Sequence, residues 1–152
     1  MDDLIESVYE YAKSVFRCDL YSVHGIQHWC DVDDSAQLIC KETEADLTVV
    51  RFFAYLHDSC RFDDGGDLGH GPRAADSLVS LPVELAVLDP EQMSVLDYAI
   101  RHHTDGDVSD DPTIGACWDS DRLDLGRVGK IPSAVMMSTK PGRDIARFGN
   151  RG

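Results

Sequence analysis

The sequence predicts an all-α protein, a single compact helical domain, on three observations. Apolar residues recur at intervals of three and four through most of the chain. Two Asp-Pro pairs, Asp89-Pro90 and Asp111-Pro112, place a capping carboxylate before a residue whose φ is already helical. No apolar-polar alternation runs longer than about four residues, so no strand is expected.

The elements follow in order. Leu4, Ile5, Val8, Tyr11, Ala12, Val15 and Phe16 form one stripe, which predicts a helix over about 2–17. A second, over about 25–41, carries His28, Val32, Ser35 and Ile39 on one face, with His24 a turn before His28. A third, over about 45–58, groups Leu47, Val50, Phe53, Ala54 and His57. The stretch 61–72 is rich in Gly and Asp and ends in Pro, which predicts a loop holding His70. A short helix over about 73–81 comes next, and then one from Pro90 to about His103, opened by Asp89 with Gln92 three residues on. Pro112 opens the last, through Trp118 to Leu125. The helical body is thus 1–129, and 130–152 is expected to be a basic, irregular tail of the same domain.

A chain of 152 residues can bury a real core, and 43% hydrophobic residues suit a globular protein. No apolar run approaches the roughly 20 residues of a membrane span, and Met1-Asp2-Asp3 does not open a signal peptide, so the cytoplasm is expected. Five cysteines, Cys18, Cys30, Cys40, Cys60 and Cys117, form no C-x-x-C pair and read as small apolar groups, not zinc thiolates or a disulfide framework. A net charge of −14 repels phosphodiester backbones and makes extended nucleic acid a poor ligand. It leaves room for a small phosphorylated molecule if a cation and arginines line the pocket. The charge is uneven: residues 1–121 carry 7 Lys/Arg against 26 Asp/Glu, and 122–152 carry 7 against 2.

His57-Asp58 closes an apolar helix, and a buried imidazole beside a carboxylate is costly unless a partner satisfies both. A divalent cation does so. Taken alone, the pair could also be a helix-end histidine favoured by the dipole with a capping Asp. Helical phase then selects the groups that face the core. His57 falls within about 60° of Val50, Phe53 and Ala54, and His28 aligns with Val32 and Ile39. His103 aligns with Leu96 and Ile100, whereas His102 lies nearer Val95 and Tyr98. Asp121 shares a stripe with Ile114, Cys117 and Trp118, while Asp119 points to the other side, where Leu123 also lies. One metal held by His28, His57, Asp58 and Asp121 would keep open positions, and the mixed N/O set suits Mn, Fe, Co, Ni, Zn or Mg. His70 and His103, with Asp58 bridging, could hold a second about 3.5–4 Å away.

Five segments in this order, His28-Trp-Cys-Asp-Val32, Ala54-Tyr-Leu-His57-Asp58-Ser59, Asp67-Leu-Gly-His70-Gly71, Ala99-Ile-Arg-His-His103 and Trp118-Asp-Ser-Asp121-Arg-Leu-Asp124, resemble the HD-domain superfamily of metal-dependent phosphohydrolases. The resemblance covers most of the chain. It implies a helical domain with a central metal site that hydrolyses phosphoesters, with His28, His57, Asp58 and Asp121 as primary ligands. The extra histidines also resemble the dinuclear branch, which includes diiron oxygenases.

Together these features predict cleavage of a small phosphoester, such as a nucleotide, by cation-activated water. A bound cation can bring the pKa of water from roughly 15.7 to about 7. Asp58 would also orient that water, and His70, His103 or Arg61 would assist the leaving oxygen. His24, Arg73 and Arg122 are candidate substrate contacts, since arginine clamps phosphate bidentately; Arg122 could instead pair with Asp119 or Asp124. The alternatives are a mixed-valent diiron oxygenase of the HD type and a nucleotide-sensing module with a structural metal.

Overall fold

In the computed structural model, which describes residues 2–149, the chain winds into α1 (Asp3–Val15), α2 (Ile26–Cys40), α3 (Leu47–Leu56), α4 (His70–Asp76), α5 (Pro90–Arg101), α6 (Pro112–Arg122) and α7 (Lys140–Phe148). Short 3₁₀ turns at Ser77–Ser80, Val83–Leu85, Leu125–Val128 and Ala134–Met136 complete it. No strand occurs among the described residues. None of their helices is long and apolar enough to cross a membrane.

The apolar sequence of α3 decides the architecture. Val49, Val50, Phe52, Phe53, Ala54, Tyr55 and Leu56 are all buried. A helix without a polar face is stable only when surrounded, and α1, α2, α5 and α6 pack around it. Ile5 and Val8, Trp29 and Val32, Leu96 and Ile100, and Cys117 and Trp118 supply the facing surfaces. Each large side chain so buried contributes about 1.5–3 kcal/mol, so the C-terminal end of α3 is held on a rigid base. Aspartates start the helices: Asp2, Asp46, Asp89 and Asp111 accept from first-turn N–H groups. Asp89 and Gln92 close a reciprocal capping box.

Two sequence expectations are corrected. α4 begins at His70 rather than after Pro72. Gly71 lets its first turn lie against the end of α5, where a Cβ would stand 3.0 Å from the Ile100 carbonyl oxygen and 3.1 Å from that of Arg101. Pro72 falls in the first turn, where no intrahelical donor is required. The segment 130–152 is not irregular throughout, because α7 forms within it. Thr139 caps that helix, its hydroxyl oxygen accepting from the Gly142 N–H at 3.0 Å. Residues 150–152 of this tail lie outside the described residues.

The five cysteines are free thiols. Burial pushes up the pKa of Cys18, Cys30 and Cys117, and that of Cys40 to about 11, which keeps them protonated and poor metal ligands.

Candidate metal centre

Four imidazoles converge on the carboxylate of Asp58. His28 comes from the first turn of α2, His57 caps α3 with Asp58 next to it, His70 opens α4, and His103 follows α5. All five are buried. Asp58 Oδ2 lies 3.4 Å from His28 Nε2 and 3.5 Å from His57 Nε2. Its other oxygen, Oδ1, lies 3.2 Å from His70 Nε2 and 3.5 Å from His103 Nε2. Asp121, from α6, adds Oδ1 at 3.2 Å from His28 Nε2 and 3.5 Å from His57 Nε2.

The outer nitrogen of each ring faces an acceptor. His57 Nδ1 faces the carbonyl oxygens of Phe53 and Ala54 at 3.0 and 3.1 Å. His70 Nδ1 faces that of Asp67, and His103 Nδ1 that of Ile100 at 2.6 Å. His28 Nδ1 faces Asp124 Oδ2 at 2.8 Å. A ring nitrogen against such an acceptor carries a proton, which leaves Nε2 as the atom that each ring would offer to a cation. Nε2 faces Nε2 at 3.1 Å for His28 and His57 and at 2.9 Å for His70 and His103. Imidazole nitrogens and carboxylates therefore crowd a buried space, where bound protons or a cation must balance them. His28, His57 and Asp121, and likewise His57, Asp58 and His103, bring ligand atoms within 4.8 Å of one another, so these buried clusters can hold a metal ion.

The same crowding is visible in the proton affinities. Burial alone would lower the His28 pKa, but hydrogen bonds to Asp121, Asp124 and Asp58 push it up to about 10. Burial alone would raise Asp58 and Asp121. His57 beside both, with His28 bonded to each, holds their carboxyls well below the usual range instead.

A cleft of about 490 Å³ opens beside the cluster, with Asp58, His70, His103 and Asp121 in its lining together with His24, Arg61, Leu125, Val128 and Lys130. His24 is nearly buried, with Nδ1 held 3.1 Å from Asp64 Oδ1. Arg61 Nη1 donates to the carbonyl oxygens of Asp63 and Gly65 at 3.0 and 3.4 Å. Its Nε lies 3.5 Å from Asp58 Oδ1, buried and without a hydrogen-bond acceptor among the described residues.

The other two arginines are engaged by the protein. Arg73 bonds both oxygens of Asp67 at 2.7 and 2.6 Å and the Cys60 carbonyl oxygen, and its guanidinium lies 3.8 Å over the Phe62 ring. Arg122 lines the cleft, but donates to the carbonyl oxygens of Gly106, Asp107 and Met136 rather than pairing with Asp119 or Asp124. His102 faces Asp105 at 3.1 Å, away from the cluster. Phase thus separated His103 from His102 and Asp121 from Asp119. It did not foresee that Asp119 is also fully buried. Sequence reasoning missed Asp124 and Asp64 as partners of His28 and His24. Asp124 was findable, since a helix running to Leu125, as the sequence predicts, puts it one turn after Asp121; Asp64, in a loop, carried no periodic signal.

No family model, curated protein or solved structure matches this chain.

Proposed function

We propose that this chain is an HD-type, metal-dependent phosphohydrolase acting on a small phosphoester. The supporting observation is the two-sided carboxylate of Asp58, with His28 and His57 at one oxygen and His70 and His103 at the other. His28, His57, Asp58 and Asp121 would hold one divalent cation; His70 and His103 with Asp58 would hold a second. A cation there supplies Lewis-acid polarisation of a phosphoryl oxygen and lowers the pKa of the attacking water. Asp58 orients that water. The Arg61 Nε–H, buried beside Asp58 and without an acceptor, would donate to a phosphoryl oxygen. His24, fixed by Asp64, presents its other ring nitrogen to the substrate from the cleft wall.

The six-residue, two-sided donor set also suits a mixed-valent diiron oxygenase, the second reading. The test is metal analysis of protein purified without chelators, paired with phosphate release from a panel of nucleotides and sugar phosphates under anaerobic conditions. Anaerobic phosphate release supports the hydrolase. Iron together with oxygen consumption replaces it with the oxygenase, and tight metal without turnover points to a sensing module.

A further inference from the structure

Among the four inward imidazoles, His28 differs in its outer partner. His57, His70 and His103 set Nδ1 against backbone carbonyls, whereas His28 sets it 2.8 Å from a side-chain carboxylate, Asp124 Oδ2. That carboxylate is placed by backbone and not by chance. Asp124 leaves the helix after α6, its N–H donating to the Asp121 carbonyl oxygen at 3.1 Å, with φ −95° and ψ 17°. Arg127 fixes the turn from the other side, donating to the Asp124 carbonyl oxygen at 2.9 Å and to that of Val23, just before α2, at 2.8 Å. The chain around Asp124 and the chain leading into His28 are therefore tied together independently of the His28–Asp124 bond.

We infer that Asp124 is a positioning residue of the metal centre, orienting the His28 ring and raising the donor strength of its Nε2 towards the cation. A carboxylate that accepts the outer N–H of a ligating imidazole fixes its tautomer and its rotation and increases its basicity, and loss of such a partner weakens metal binding 10–100-fold. A carbonyl does the first two but contributes less to the third, so His28 becomes the strongest imidazole donor of the set. Asp121 and Asp124 then divide the work, one facing Nε2 and the other Nδ1 of the same ring.

This rests on the proposed metal site, and a direct binding measurement separates the two. Zn(II) or Mn(II) affinity is read by competition with a chromophoric chelator, without reference to turnover. Asp124→Ala is expected to bind about 10–100-fold more weakly than wild type. The double variant His28→Ala/Asp124→Ala should bind no more weakly than His28→Ala, because Asp124 acts through the ring that has been removed. Asp124→Asn, which keeps the shape and an acceptor oxygen but not the charge, should fall between, and serves if the alanine variant does not fold. Wild-type affinity in Asp124→Ala and Asp124→Asn, or a full additional loss in the double variant, overturns the positioning role while leaving the metal site in place. A wild-type protein that binds neither cation overturns the site and the inference together.

Discussion

Asp119 and Asp121 stand two residues apart on α6 and serve opposite sides of it. Asp121 faces His28 and His57, whereas Asp119 accepts from the backbone N–H groups of Ser138 and Thr139 at 2.7 and 2.8 Å and from the Thr139 hydroxyl at 2.7 Å. One carboxylate belongs to the site and the other anchors the start of α7. A Cβ at Gly142 would collide with the Asp119 carboxylate, so the fit there is close.

Asp119→Ala should therefore act on stability. It strands three donors at a buried position, a loss on the order of 3 kcal/mol. For a domain of this size that lowers the melting temperature by roughly 6–12 °C. Asp121→Asn should lose most of the metal affinity; at neutral pH it also removes the charge that Asp121 contributes to the metal-free fold, so its signature is the affinity and not the melting temperature. Calorimetry and metal titration of the two variants check this; interchanged outcomes would show that the carboxylates had been given the wrong roles.

Removing Asp58 should cost more than removing any single histidine, because its two oxygens face both imidazole pairs. Asp58→Ala is expected to bind no cation at either position, whereas His70→Ala should reduce the stoichiometry from about two to about one. Elemental analysis after dialysis reads both, and an unchanged stoichiometry in His70→Ala removes the second site.

Arg61→Ala should lower kcat/KM for a phosphoester about 100-fold with the metal content unchanged, if Arg61 is the proposed donor to the phosphoryl oxygen. Arg61→Lys should recover only part of this, because lysine has no counterpart of Nε fixed beside Asp58. Steady-state kinetics with metal analysis of both variants decides; equal rates in wild type and Arg61→Ala would place the arginine outside the chemistry.

Stability of the metal-free protein should depend on pH in two windows. His28 is raised from 6.5 to about 10 in the folded state, so its contribution is complete below about pH 6.5 and is lost as pH rises towards 10. Asp58 and Asp121 are depressed below 3.8, so theirs is present above that value and is lost on further acidification. Melting of chelator-treated protein should thus fall on the alkaline side. A cation displaces the His28 proton, so affinity should rise through the same window and the alkaline loss should shrink when metal is present. A metal-free melting temperature that stays flat between about pH 6.5 and 10 would contradict this.

Helical phase and capping chemistry are local properties, and they were legible residue by residue. The stripe of α1, the apolar surface of α3, the caps Asp89 and Asp111, and the inward choice of His103 over His102 all follow from side-chain spacing at 100° per residue. Phase says which way a side chain faces but not what meets it there. It could not reveal that Asp119, facing away from the histidines, is buried under α7, or that Arg122 is bound by three carbonyl groups.

What the amino-acid order determined by itself is the helices before residue 130, apart from where α4 starts, and the inward direction of His28, His57, Asp58, His103 and Asp121, because hydrophobic burial of one face fixes the rotation of each helix. Only the packing of α2, α5 and α6 around α3, and of α4 against α5, decided that these groups meet, that His70 joins them from a helix start, and that Asp124 and Asp64 stand behind His28 and His24. Those contacts join residues distant in sequence, and their distances depend on how helices cross and how loops return, which no local rule of periodicity or capping contains.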